Sequence, residues 1–212
     1  LYTFKPSINK NVSHSNIKSK YKEINSEKDT IETIQNHDFY INEETIKSVD
    51  ELFGMYEMSV GHGSNFLLNI GPDNRGLLPE ADAERFLALG KRIRASYGQP
   101  LDFSAPVKEG DTYIITHKEM DEPSWEMPTE NHLSNTIVIS EDLTNGQKIS
   151  SFSVYAYLPR YKKKKIQVFE GKTVGHKVFC KFSPIRATKY EVVINASDGE
   201  HRITDIQAFY VK

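Results

Sequence analysis

The chain has 212 residues, of which 38% are hydrophobic and 26% are charged, and its formal net charge is -2. This length can hold one large or two small domains, each with enough apolar content to bury a core. So small a net charge creates no global field that would attract nucleic acid, and no run approaches the ~20 apolar residues of a membrane span. Neither a nucleic-acid partner nor a membrane span is therefore expected.

The one cysteine, Cys180, excludes an internal disulfide and a metal site built from several cysteines. It lies in HKVFCKF, where apolar and polar residues alternate. Such a pattern favours a buried structural thiol over a nucleophile.

Residues 1–36 are rich in Asn, Lys and Ser and show neither helical nor strand periodicity. They cannot bury enough apolar surface to offset the entropy lost on ordering. We interpret this segment as a poorly ordered lead-in.

Residues 37–100 carry the pattern of an α/β unit. Asn42 is a suitable N-cap, and apolar residues then recur at three- and four-residue spacing, which predicts an amphipathic helix ending near Gly61. The apolar run from Asn65 to Gly71, bounded by glycine and proline, is typical of a strand covered on both faces of a parallel sheet. A second helix is predicted from Pro79 to Gly98.

After residue 100 the hydrophobic period changes from 3.6 to 2. Seven strand-like runs follow, separated by turn signals such as Thr-Asn-Gly and Ser-Asp-Gly. They are TYIITH, NTIVIS, KISSFSVYAYL, KKIQVFE, HKVFCKF, KYEVVINA and RITDIQAFYV. An antiparallel β-sandwich over residues 107–212 is expected.

The run SVGHGSNFLLNIGPDNRGLLPEADAERFLALGKRI resembles the end of the catalytic barrel of the α-L-fucosidases, glycoside hydrolase family 29. HDFYINEETIKSVDELF, before it, and NTIVISEDLTNGQKISSFSVYAY and DIQAFYV, after it, also resemble segments of that family. The resemblance implies α/β plus all-β architecture: the closing unit of an incomplete (β/α)8 TIM barrel over 37–100, followed by the β-sandwich. The assignment depends on Asn65–Pro72 being a fully covered barrel strand.

The resemblance also implies an activity, the hydrolysis of terminal α-L-fucose from fucosylated glycans with retention of configuration. One branch of the family, which acts on α-1,3/1,4 linkages, has the more similar sandwich. Retention requires two carboxyls ~5 Å apart, a nucleophile and a general acid/base. The aspartate nucleophile has no counterpart here, so the isolated chain is expected to be inactive. No cofactor and no metal are implied, and the family suggests a secreted, periplasmic or lysosomal location.

Three residues are candidates for the site. Glu27 has the E-x-D spacing of the family's acid/base segment, although its neighbours differ and a solvated loop charge is the alternative. Asp38 stands where the family pattern has tryptophan, so the aromatic that faces the sugar is either missing or replaced by Phe39. Trp125 either stacks on a sugar ring or anchors a loop.

Other residues have a structural interpretation beside a functional one. His62 is interpreted as a structural or surface histidine rather than a ligand, and Asn69 as a buried hydrogen-bonding residue rather than part of a pocket floor. The loop Gly71–Asp73 is a candidate for weak substrate contacts. Lys162–Lys165 is interpreted as a solvated hairpin tip rather than a patch for anions.

A second hypothesis is a non-catalytic carbohydrate-binding or interaction module. In that case the sandwich functions by itself and the α/β remnant merely supports it. Binding of fucosylated glycans that depends on Trp125 would favour this module over the enzyme fragment.

Overall fold

The computed structural model describes residues 47–73, 75–118, 133–159 and 165–212. Within these ranges, helix α1 spans Val49–Ser59 and helix α2 spans Glu80–Tyr97. Acidic residues occupy the first turn of both helices, where they complement the positive end of the helix dipole. Both predicted helices are present, but α1 begins at Val49, later than predicted, and the expected N-cap Asn42 lies outside the described residues.

After the helices, the described part of the chain contains eight strands. They are β1 Val107–Glu109, β2 Thr112–Thr116, β3 Leu133–Glu141, β4 Ile149–Tyr157, β5 Lys165–Gly171, β6 Val178–Arg186, β7 Lys189–Ser197 and β8 Ile203–Phe209. All strand pairs are antiparallel, in a five-stranded sheet of order β1-β2-β7-β4-β5 and a three-stranded sheet of order β6-β3-β8. The predicted antiparallel sandwich is confirmed, with the short β1 as a strand that the sequence pattern did not reveal.

The core of the sandwich follows the alternation of the strands. In β4, Phe152, Val154 and Ala156 are fully buried, whereas the intervening Tyr155 and Tyr157 are partly exposed. Inward-facing residues of both sheets join them in one hydrophobic cluster, including Ile137, Ile139, Tyr190, Val192, Ile206 and Ala208. Burial on this scale, at roughly 25 cal/mol per Å² of apolar surface, is the main stabilising contribution to this domain.

Helix α1 is held against the three-stranded sheet by close packing at Gly61. The Gly61 carbonyl accepts a hydrogen bond from the Phe179 amide at 2.9 Å. A Cβ at Gly61 would lie 2.7 Å from the Phe179 ring and 2.3 Å from the Glu57 carbonyl oxygen, so only glycine permits this approach. Tyr56, Tyr97 and Phe209 complete an aromatic cluster around Phe179, with Tyr97 and Phe179 centroids 4.6 Å apart.

The buried strand predicted for Asn65–Gly71 is not found. Residues 64–73 form neither helix nor strand, and the side chain of Leu67 is 84% exposed. A parallel strand exists only through hydrogen bonds to neighbouring strands, and in the described ranges no strand lies beside this segment. The sequence pattern therefore indicates a segment suited to burial, but no described strand pairs with it.

The chain divides into two compact units. One comprises the described parts of residues 1–48 and 67–87, and the other comprises residues 49–66 together with the described parts of 88–212. The second unit contains α1, the C-terminal half of α2 and the complete sandwich. The predicted domain limits of 37–100 and 107–212 stay a prediction.

Candidate functional site

The three site residues named from sequence, Glu27, Phe39 and Trp125, all lie outside the described residues. Their roles as acid/base and as sugar-facing aromatics therefore stay predictions. The same holds for Lys162, Lys163 and Lys164 of the lysine run. Lys165 alone of that run is described, and its ammonium lies 3.1 Å from the Glu191 carboxylate.

The loop that follows the predicted barrel strand is a hydrogen-bonded turn centred on Asp73. Its Oδ1 accepts hydrogen bonds from the amides of Arg75 and Leu77, both at 2.9 Å, and its Oδ2 accepts from the Arg75 guanidinium at 2.7 and 2.9 Å. The Leu77 amide, followed by the Arg75 side chain, lowers the pKa of Asp73. An ionised carboxylate used in this way holds a turn and has no proton to donate.

The solvent exposure of Asn69 and His62 tests the interpretations made from sequence. Asn69 is exposed, so the prediction of a buried hydrogen-bonding residue is wrong for this structure, for the same reason that the strand around it does not form. His62 is exposed, and its backbone forms an isolated bridge with Val178. This placement agrees with the interpretation of His62 as a surface histidine.

Cys180 is fully buried in the sandwich core. Burial raises the pKa of its thiol, because the thiolate would lose its hydration. The interpretation of Cys180 as a structural thiol is confirmed.

The buried carboxylate of Glu141 has a structural function. The Glu141 carboxylate accepts hydrogen bonds from the amides of Lys148 and Ile149, at 2.7 and 2.9 Å, and from the amide of Gly175 at 3.1 Å. This buried side chain therefore joins the end of β3 to the start of β4 and to the loop before β6. Sequence analysis missed it, because its partners are backbone amides that leave no side-chain signature.

Glu191 forms ion pairs on the outer face of the five-stranded sheet. Lys189 and Lys165 contact its carboxylate at 2.8 and 3.1 Å. Burial raises the pKa of Glu191, but hydrogen bonds from Lys189, Tyr157 and Lys165 outweigh it, so the pKa lies below its usual value. This cluster is an ion-pair network between strands rather than an acid/base pair.

One cavity lies in the second unit, bounded by α1, α2 and the three-stranded sheet, with a volume of about 510 Å³. Its walls combine charged, polar and aromatic side chains. They are Asp50, Phe53, Gly54, Glu57, Arg92, Asn135, Thr136, Lys181, Phe182, Val211 and Lys212. Sequence analysis did not predict this cavity, since its residues come from five separate parts of the chain.

Two ion pairs lie across this cavity. The Lys181 ammonium lies 2.5 Å from Glu57 Oε2, while Glu57 Oε1 accepts a hydrogen bond from the Tyr97 hydroxyl at 2.6 Å. Burial, then the bond to Glu57, raises the pKa of Tyr97, so that its hydroxyl keeps its proton. Arg92 lies 3.3 Å from Asp50 and 5.0 Å above the Phe53 ring.

The parts of the chain that are described contain no group of three or more His, Cys, Asp or Glu residues placed to hold a metal ion. Nor do they include a helix that is long and apolar enough to cross a membrane.

Comparison with known proteins gives a match to one family model over part of the chain. The model of the family described as Alpha-L-fucosidase matches residues 6–97. No curated protein sequence matches the chain significantly.

Solved structures with the same fold belong to the same group of enzymes. A protein named as a candidate α-L-fucosidase from Bacteroides thetaiotaomicron has 26% identity and a TM-score of 0.68, over 80% of this chain and 36% of its own. One from Bacteroides ovatus has 25% identity and a TM-score of 0.65, over 80% and 28%. A Ruminococcus gnavus family 29 fucosidase, solved with fucose, shares the fold at 22% identity and a TM-score of 0.64, over 79% and 38%. The chain thus spans only about a third of the length of these proteins, and the resemblance expected from its sequence is confirmed.

Proposed function

We propose that this chain, which resembles the α-L-fucosidases of glycoside hydrolase family 29 in sequence and fold, is the C-terminal part of such an enzyme. The complete protein would remove terminal α-L-fucose from glycans with retention, with a preference for α-1,3/1,4 linkages. Residues 37–100 would then close a (β/α)8 barrel, and the sandwich would follow that barrel. A TIM barrel needs ~250 residues, so a chain of 212 residues that also includes a sandwich holds only part of one.

The observation that carries this proposal is the exposure of apolar side chains in residues 67–87. Five of the eight large hydrophobic residues that are exposed among the described ones fall in this segment: Leu67, Leu77, Leu78, Phe86 and Leu87. A cluster of exposed apolar residues is typical of a surface that another part of a protein covers. In a complete barrel, the neighbouring strands and helices would cover these residues.

The catalytic nucleophile is proposed to lie in the upstream part of the complete protein. Retention needs one ionised carboxylate for attack and one carboxyl with a raised pKa to protonate the leaving oxygen. Asp73 fits neither role, because both of its oxygens are engaged within its own turn. Glu27 remains the candidate acid/base, and we propose that the isolated chain is catalytically inactive.

Hydrolysis of an aryl α-L-fucoside tests the proposal. We expect activity from a longer protein that includes the upstream reading frame and none from the 212-residue chain. NMR of the released sugar in the first minutes should show the α-anomer, as retention requires. Turnover by the isolated chain would disprove the proposed division of the active site, and an inactive longer protein would disprove the assignment as a fucosidase.

A second function, a non-catalytic carbohydrate-binding module, is supported by a different observation. The sandwich has a continuous core of its own, formed by inward-facing residues of both sheets. Such a domain does not need a complete barrel in order to fold. Binding of a fucosylated glycan by the 212-residue chain, abolished by Trp125→Ala, would favour this function, provided that the longer protein shows no hydrolysis.

A further inference from the structure

The cavity bounded by α1, α2 and the three-stranded sheet has the size of a ligand site. Its volume of about 510 Å³ lies within the range of ~300–1,000 Å³ that is usual for small-molecule pockets. All of its lining residues belong to one compact unit, which includes the sandwich. It is therefore formed without any contribution from the rest of a barrel.

Gly54 has no side chain and therefore leaves unoccupied space in the wall of this cavity. The residue lies in the middle of α1, where glycine is about 0.5–1 kcal/mol less favourable than alanine. Its φ angle is not positive, so the backbone does not require glycine. A Cβ built at this position meets no atom within 4 Å. The absent side chain thus leaves the helix backbone accessible from the cavity, between Asp50 and Glu57 of the same helix.

Four of the five charged side chains that line the cavity form two pairs of opposite sign, and Lys212 is the fifth. Asp50 faces Arg92, and Glu57 faces Lys181, at 3.3 and 2.5 Å. Because each charge is largely compensated by its partner, the cavity favours a neutral ligand over a highly charged one. Paired carboxylates and cations offer acceptors and donors side by side, which suits a ligand with neighbouring hydroxyl groups.

Aromatic and aliphatic side chains complete the lining. Phe53, Phe182 and Val211 provide apolar surface beside the ion pairs. A pyranose has the matching character, with C–H groups on one face and hydroxyl groups around its edge. Polar or charged residues are nevertheless the majority of the lining, which suits a ligand rich in hydroxyl groups.

We propose that this cavity binds one sugar residue of a neutral glycan. The choice of a glycan among hydroxylated ligands rests on the proposed function, whereas the position of the site rests on the cavity alone. Arg92 and Lys181 donate hydrogen bonds to ring hydroxyls, and Asp50 and Glu57 accept them. Such a site would let the sandwich unit retain a glycan independently of the hydrolytic carboxyls.

The test is a calorimetric titration of the 212-residue chain with a neutral trisaccharide that carries α-1,3-linked fucose on N-acetyllactosamine. We expect saturable binding with a Kd near ~1 mM, a range usual for a ligand held by few contacts. Gly54→Leu should weaken binding by ~10-fold or more, since its side chain enters the cavity, and should not lower the melting temperature, because leucine favours a helix. Gly90→Ala is the control: it also replaces a helical glycine, but Gly90 does not line the cavity, so affinity should not change.

Three results would overturn the proposal. They are absence of binding by the wild-type chain, equal affinity in a folded Gly54→Leu variant, and a loss of binding in Trp125→Ala without one in Gly54→Leu. If Gly54→Leu does not fold, Lys181→Met provides the second variant, since Lys181 is half exposed and its loss should likewise weaken binding ~10-fold. Hydrolysis by the longer protein is measured separately, so failure of the fucosidase assignment and failure of this site give different results.

Discussion

Glu141 shows how one buried side chain can stabilise a turn between strands. Its carboxylate accepts three backbone hydrogen bonds, so removing it leaves the amides of Lys148, Ile149 and Gly175 without that partner. Each unsatisfied buried donor costs about 1–3 kcal/mol, and we expect Glu141→Ala to lower the free energy of unfolding by roughly 3 kcal/mol. Urea denaturation followed by circular dichroism measures this change.

The control for this prediction is Glu200→Gln. Glu200 is exposed, so its replacement should change the free energy of unfolding by no more than about 0.5 kcal/mol. Equal effects of the two substitutions would show that the three amides find other partners when the carboxylate is removed. The hydrogen bonds of Glu141 would then have no special stabilising function.

At the scale of elements, the sequence predicted those strands that depend on a local hydrophobic pattern. The period-2 runs identified seven strands close to their observed limits, because each antiparallel strand has one buried face whose residues alternate. The prediction of a strand at Asn65–Gly71 was wrong, because a continuous apolar run indicates only that a segment is suited to burial. Whether it becomes a strand depends on neighbouring strands, and a local pattern contains no information about them.

The exposure of Leu67 gives a prediction for that segment. Its side chain is 84% exposed, so Leu67→Gln should change the free energy of unfolding of this chain by less than about 0.5 kcal/mol. Leu52→Ala, at a residue only 5% exposed, is the contrasting variant and should cost about 2–5 kcal/mol. In the longer protein, where we propose that the segment is covered, Leu67→Gln should by contrast lower the free energy of unfolding. A neutral effect there, measured by thermal unfolding, would argue against a barrel strand.

At the scale of the whole molecule, sequence patterns do not reveal sites assembled from distant residues. The cavity joins α1, α2, two strands and the last residues of the chain, and Asp50 and Lys181 are brought together only by folding. Glu27, Phe39 and Trp125, the three site residues named from sequence, lie in ranges that the structure does not describe. Resemblance therefore indicated similar proteins, whereas the cavity is formed only in the folded chain.

Proteolysis tests which contacts hold the sandwich unit together. Thermolysin cleaves before exposed apolar residues, so among the described ranges we expect its first cuts at Leu67, Leu77 or Leu78. A cut there separates α1 from the sandwich in sequence. The peptide that carries α1 should nevertheless remain bound, because of the Gly61–Phe179 hydrogen bond, the Glu57–Lys181 ion pair and the aromatic cluster around Phe179.

Size-exclusion chromatography with mass spectrometry follows the two pieces after this cleavage. Co-elution is the expected result for the wild-type chain. Tyr97→Ala removes both the hydrogen bond to Glu57 and the ring that contacts Phe179 and Phe209, so its cleaved form should dissociate more readily. Separation of the wild-type pieces would mean that α1 is held only by the intact chain. The cavity, which needs α1 on the sheet, would then have no stable wall on that side.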